Sequence, residues 1–165
     1  MSTALEAEIQ SPRLEKAILL MESKNFEEAE IELKMGIDES QSSEDVVMEA
    51  IYQSTLGVLH KLKKDYKMAW KYYENAERLL PHDPALKIIS ARLLVDIFGQ
   101  YDTAIKKMEK VLKLVQDDQP FIHQAYTVMG LAYLKKGDRK KALTCFQDSM
   151  KDDFQKMITA QNIDS

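Results

Sequence analysis

Four stretches of the chain carry one pattern in one order, and a repeat of this length constrains the fold before any single residue does. Phe26-Glu27-Glu28-Ala29, Tyr66-Lys67-Met68-Ala69, Tyr101-Asp102-Thr103-Ala104 and Arg139-Lys140-Lys141-Ala142 align on their alanines. Twelve residues before each alanine stand Ala17, Gly57, Arg92 and Gly130. Four residues after it come Leu33, Tyr73, Met108 and Phe146, and three further on Gly36, Ala76, Val111 and Ser149. Small residues on facing helices let two backbones approach closely, and the large residue one turn later fills the space that the next pair leaves open. The alanines lie 40, 35 and 38 residues apart. Connections of different length should absorb the surplus, which falls at 38–45 and 117–120.

Apolar residues recur at three- and four-residue spacing almost everywhere, and only five glycines and four prolines interrupt them. Helices should dominate and strands be absent. Ser11-Pro12, Asp83-Pro84 and Gln119-Pro120 each set a polar residue before a proline of a first helical turn, where the missing amide hydrogen costs nothing. Asn25 with Glu28 has the form of a capping box, Asp65 and Asp138 are expected caps, and Gly99 and Gly137 stand where a helix must stop. The expected helices are 12–23, 26–37, 45–62, 66–79, 84–97, 101–115, 120–136 and 139–150, with a short last one at 153–161.

The aligned pattern resembles the tetratricopeptide repeat family, whose unit is a helix-turn-helix with small, aromatic and proline positions at these offsets. The second repeat matches best, through Leu56-Gly57, Asp65-Tyr66, Ala69, Tyr73, Ala76 and Pro81. The fourth follows with Tyr126, Gly130, Tyr133, Gly137-Asp138, Ala142 and Phe146, Phe154 replacing the closing proline. The third departs at Arg92 and the first at Arg13 and Lys16. The resemblance implies an all-α, right-handed superhelical solenoid of about four such repeats with a short C-terminal helix. The expected organisation is an extension at 1–9, repeats near 10–43, 50–83, 85–118 and 123–152, and a capping helix or tail at 153–165.

A chain of 165 residues, 45% of them hydrophobic, can bury roughly two thirds of its unfolded surface without disulfide or metal. The single Cys145 fits a reducing compartment. The first ten residues carry Glu6 and Glu8 and do not fit a secretion signal; no run is long and apolar enough to span a bilayer. The expected location is cytoplasmic, with no membrane insertion. A net charge of -4 is no match for nucleic acid.

Sites for chemistry are not legible. The chain has no glycine-rich phosphate loop, no Gly-x-Ser-x-Gly elbow and no His-x-x-x-His pair, and one cysteine builds no structural zinc site. The stretch 38–49 has oxygen ligands at alternate positions and Glu49 at the twelfth, yet Ser43 occupies the sixth place, where a calcium loop needs glycine. A solvated linker is the better reading. His60 is expected in the repeat core, Cys145 as a buried thiol, and Trp70 and Tyr73 as packing residues. The expectation is no enzyme, no cofactor and no metal.

The resemblance implies that the first helix of each pair lines a concave surface that holds ligands. By helical spacing this face comprises Leu14, Ile18 and Met21; Ile51, Ser54, Val58, Lys61 and Leu62; Leu86, Ile89, Leu93, Asp96 and Ile97; and Gln124, Thr127, Leu131, Leu134 and Lys135. The family's carboxylate clamp is absent, because its places hold Leu14, Ile18, Thr55, Leu86 and Ser90. An aliphatic groove suits an amphipathic helix or an apolar peptide of a partner protein. The expected function is that of a non-catalytic adaptor or scaffold, the alternative being a chaperone that shields an apolar segment; self-association stays open. Turns inside the second and fourth pairs are basic, through Lys61, Lys63, Lys64, Lys67 and Lys71 and through Lys135, Lys136, Arg139, Lys140 and Lys141. Arg139 to Lys141 open a helix, against the dipole preference, which marks them as an edge for an acidic partner.

Overall fold

A computed structural model describes residues 11–116 and 118–161, with side chains to Lys151. Among them every regular element is a helix. In chain order they are α1 (Pro12–Glu22), α2 (Phe26–Ser42), α3 (Val46–Leu62), α4 (Tyr66–Leu79), α5 (Pro84–Leu93) continued by a π-helical segment (Leu94–Phe98), α6 (Tyr101–Val115), α7 (Gln119–Lys135) and α8 (Arg139–Gln161). The chain divides into two units, Met1–Pro81 and His82–Ser165, each containing two helical hairpins.

Local chemistry sets the boundaries. Ser11, Asp45, Asp65 and Asp83 accept hydrogen bonds from the amides of Leu14, Met48, Met68 and Leu86, and Asp138 accepts from Lys141. Each removes one orphan donor of a first turn. Asn25 makes no such bond, so no capping box opens α2. Four helices end in one geometry, with Lys24, Glu44, Lys64 and Gly137 in the left-handed region and the next residue bonding back five positions, as Asp65 does to His60 at 2.8 Å. This closure satisfies two terminal carbonyls and delivers an aspartate or asparagine to the next N-cap.

The segment 38–42, expected as linker, is helical. Ser40, Ser42 and Ser43 donate to the carbonyls of Gly36, Asp38 and Glu39 at 2.7, 2.8 and 3.0 Å; with no glycine or proline to stop it, α2 runs on, and the surplus of the first repeat is helix. No calcium-type loop exists there. The helix expected at 153–161 is likewise continuous with α8.

Small residues meet large ones within hairpins and, at Gly36, between them. A Cβ on Gly57 would lie 2.4 Å from the Tyr73 ring, one on Gly130 2.5 Å from Phe146, and one on Gly36 2.3 Å from Tyr52. Where the small residue is alanine the partner at the same offset is aliphatic: Ala17 with Leu33, and in the third hairpin Met108, all fully buried. Arg92 does not hold the small position of that hairpin. Ala91 does; it is fully buried, and the extra residue before Ala104 is taken up by the π turn at Leu94–Phe98, which accommodates one residue more than an α-turn. Gln100 bonds back to Leu94 across six residues, and Gly99 supplies the left-handed position.

The departures at Arg13 and Lys16 also have a structural reason. Their equivalents Gln53 and Leu56 in α3, and Met129 in α7, are buried. In α1, Arg13 pairs with Glu32 and Glu39, and Lys16 with Glu32. The outer edge of the first hairpin is therefore covered by ion pairs in place of apolar contacts.

Two outcomes are expected in urea denaturation. Gly57→Ala should lose about 1 to 3 kcal/mol by overpacking, and adding Tyr73→Leu, which recreates the alanine–leucine pairing, should leave the double variant more stable than the sum of the single losses. Lys64→Gly should gain about 0.5 to 1 kcal/mol by relieving a left-handed non-glycine residue.

Candidate functional site

The first helices of the hairpins, α1 and α3 in one unit and α5 and α7 in the other, carry the residues expected to face a ligand. In the first unit Ser11 Oγ lies 2.7 Å from the Tyr52 hydroxyl, and Leu14, Ala17 and Met21 share one core with Tyr52, Leu56 and Leu59. This packing fixes α1 beside α3. Ile18 at 43%, Val58 at 37% and Leu62 at 53% stand exposed, Ser54 is half-buried, and half-buried Ile51 packs against this core. Val47, one turn before Ile51, extends the stripe and is exposed as well; its four-residue spacing from Ile51 was the available signal. Lys61 and Lys64 stand exposed at the end of α3.

Four of the expected residues belong to the interior. Leu14 and Met21 are core, and Leu86 and Leu93 are buried in the second unit. A side chain in van der Waals contact all round offers nothing to a ligand. For the third hairpin the cause is a one-residue slip: with Ala91 as the small position, the surface residue equivalent to Ile18 and Val58 is Arg92, and Leu93 turns inward.

The second unit therefore presents a different surface. Arg92 Nε bonds Asp96 at 2.8 Å, Lys135 Nζ lies 3.7 Å from the same carboxylate, and it also approaches the Val95 carbonyl of the π turn at 3.4 Å. Elsewhere on α5, the π-helical segment and α7, Ile89, Thr127 and Leu131 are half-buried and Ile97, Gln124 and Leu134 exposed, with Thr127 Oγ1 3.2 Å from Ser149 Oγ of α8. The face is mixed where that of the first unit is aliphatic. The clamp positions Leu14, Ile18, Thr55, Leu86 and Ser90 carry no cation.

Two histidines occupy polar settings. His60 is buried, stacks on Tyr72 with centroids 5.1 Å apart, and has no hydrogen-bond partner on either ring nitrogen. Glu30 lies 3.8 Å from Nε2 and Asp65 3.7 Å from Nδ1, while Lys34 and Lys63 hold Glu30. Burial is the main cause that pushes the imidazole below its ordinary range, and Lys63 and Lys34 act in the same direction against Glu30 and Asp65. His123 Nδ1 is 3.0 Å from both the hydroxyl and the carbonyl of Ser149, tying α7 to α8. Burial and Asp148 raise the Cys145 thiol, which disfavours the reactive thiolate. Among the described residues no group of three or more His, Cys, Asp or Glu side chains is placed to hold a metal, and no helix is long and apolar enough to cross a membrane.

The sign of the His60 effect follows from linkage. Its folded value is depressed, so the unfolded chain takes up the proton first as pH falls below about 6.5. Stability should fall between that value and the lower folded one. His60→Phe should flatten this part of a pH series of urea midpoints, whereas the loss through Glu30, Glu32 and Asp102, all held below the usual carboxylate range by lysine partners, should persist at more acid pH.

Residues 123–156 match the family model described as tetratricopeptide repeat. No curated protein matches the chain. Among solved structures, one described as the crystal structure of MamA protein is 22% identical over 88% of this chain and 73% of that one, with a TM-score of 0.67. A second, described as MamA MSR-1 C2, is 16% identical over 87% and 76%, with a TM-score of 0.65. At these identities the likeness is one of fold.

Proposed function

We propose that this chain, in which residues 123–156 match a tetratricopeptide repeat, is a non-catalytic adaptor which holds an amphipathic helix or apolar peptide of another protein against the α1–α3 face of its first unit. The observation that carries this reading is the row of exposed aliphatic residues Val47, Val58 and Leu62 on α3, with half-buried Ile51 among them, and exposed Ile18 on α1. A stripe at helical spacing left in water matches apolar anchors at i, i+4 and i+7 on a docked segment. Lys61 and Lys64 at its end favour a segment with acidic flanks. The mixed face of the second unit, around Arg92, Asp96 and Lys135, supplies polar contacts of its own. The protein acts in the cytoplasm on this reading.

The test is site-specific photo-cross-linking from position 58 in native extract, with and without Leu62→Glu. A discrete partner that disappears in the variant supports the adaptor. A broad set of products, together with suppressed aggregation of an unfolded test protein, supports the alternative chaperone role. Val58→Glu with Leu62→Glu should leave the melting transition nearly unchanged, each exposed site costing about 0.5 kcal/mol or less. Leu93→Glu should unfold the chain by burying an unpaired carboxylate. Unaltered cross-linking in the Leu62→Glu background would remove this face from consideration.

A further inference from the structure

The side of α6 opposite its buried residues Ala104, Ile105, Met108 and Val111 carries Asp102, Lys106, Glu109, Lys110 and Lys113, all exposed. Lys136, on the turn between α7 and α8, bonds Asp102, and Lys106 acts on the same carboxylate. That shared acid joins the row on α6 to the turn. Arg139 and Lys140 follow, exposed, as the first two residues of α8. On this surface of the second unit Lys106, Lys110, Lys113, Lys136, Arg139 and Lys140 meet two carboxylates, Asp102 and Glu109.

The fold makes little use of these charges. Lys16, Lys34, Lys63, Lys135 and Lys141 each have an acidic partner, whereas Lys106, Lys110, Lys113, Arg139 and Lys140 enter no ion pair among the described residues. Lys106 and Lys110 stand at the i,i+4 spacing where like charges destabilise a helix. Arg139 and Lys140 oppose the dipole at the start of α8. Cations that weaken the helices carrying them and find no acid within the chain are available to an anion outside it. Five of the six are lysines, hydrated point charges on flexible stems, which read charge density in place of the shape of one group. From Asp102 to Lys113 the row runs about 16 Å along α6, beyond the screening length of physiological salt. One helix side and a turn would touch a peptide from a single direction, while a plane of anionic headgroups meets the whole row and the turn together.

We propose that the outer side of α6 and the α7–α8 turn dock this protein peripherally on an anionic lipid surface. The contact is electrostatic and needs no inserted segment. It belongs to the second unit and does not depend on the adaptor reading of the first.

Flotation of the full chain with phosphatidylcholine vesicles containing about a third phosphatidylserine should show binding that phosphatidylcholine alone does not give. Raising the salt from about 0.1 to about 0.5 M should weaken it at least tenfold by screening. Lys106→Gln with Lys140→Gln should weaken it about 25-fold, about five-fold for each cation removed, with helicity unchanged because both sites are exposed. Lys140→Gln alone should not lower the melting temperature, since it removes a cation from a helix start. Lys67→Gln with Lys71→Gln makes the same charge change at exposed sites on α4 of the first unit and should leave vesicle binding within about twofold. Absence of binding to the anionic vesicles, equal binding to neutral ones, or an equal loss in the α4 variant would overturn the proposal. If the chain ignores anionic vesicles yet binds an oligoglutamate peptide, and loses it in the Lys106→Gln, Lys140→Gln variant, the lipid assignment fails and the surface belongs to an acidic protein.

Discussion

The hairpins rest on a size match between one small and one large residue. Gly57 lies under Tyr73, Gly130 under Phe146 and, between hairpins, Gly36 under Tyr52, each too close to admit a methyl group. Where alanine replaces glycine, leucine or methionine replaces the ring. The volume at each contact is conserved while the partition between the two side chains varies. Close-packed interiors permit this exchange because they respond to total volume and shape more than to residue identity. Every surface in the molecule is positioned by these contacts, since they set how near the first helix of a hairpin stands to the second and which of its sides is left outward.

Most of the fold was legible for the same reason. Caps at Ser11, Asp65, Asp83 and Asp138 are local chemistry with one structural outcome, and the small–large offsets recur often enough to fix the hairpins. What was not legible lay where two local solutions compete. The stretch 38–42 has the composition of a linker, yet its serines bond back to carbonyls one turn earlier and let α2 continue. Nothing in residue type distinguishes a serine that caps from one that bonds back. The helix at 153–161 raised the opposite problem, because no glycine or proline separates it from α8 and an expected boundary had no physical cause.

The candidate site was half legible. Helical spacing identified the α3 stripe because α3 is regular from Val46 to Leu62. It placed Leu14 and Met21 on the surface although the first hairpin buries them, since spacing gives direction and not depth. In the third hairpin it failed through register: an alignment that keeps twelve residues before Ala104 lands on Arg92, while the helix places Ala91 there. The anomaly was visible, an arginine where a small residue belongs, and a slip of one residue was its cause.

That slip separates two roles which a repeat usually keeps locked together. A substitution on a packed helix changes either what is buried or what is displayed, one position at a time. A single residue absorbed as a π turn leaves the buried set, Ala91, Ala104 and Met108, in register on both sides and moves a charged residue into the displayed row. The carbonyl disturbed by the bulge is met by Lys135 from the neighbouring hairpin, which draws a second cation to the same place. An array of near-identical units can in this way acquire one unit with a different chemical address, while its interior retains the vocabulary of all the others.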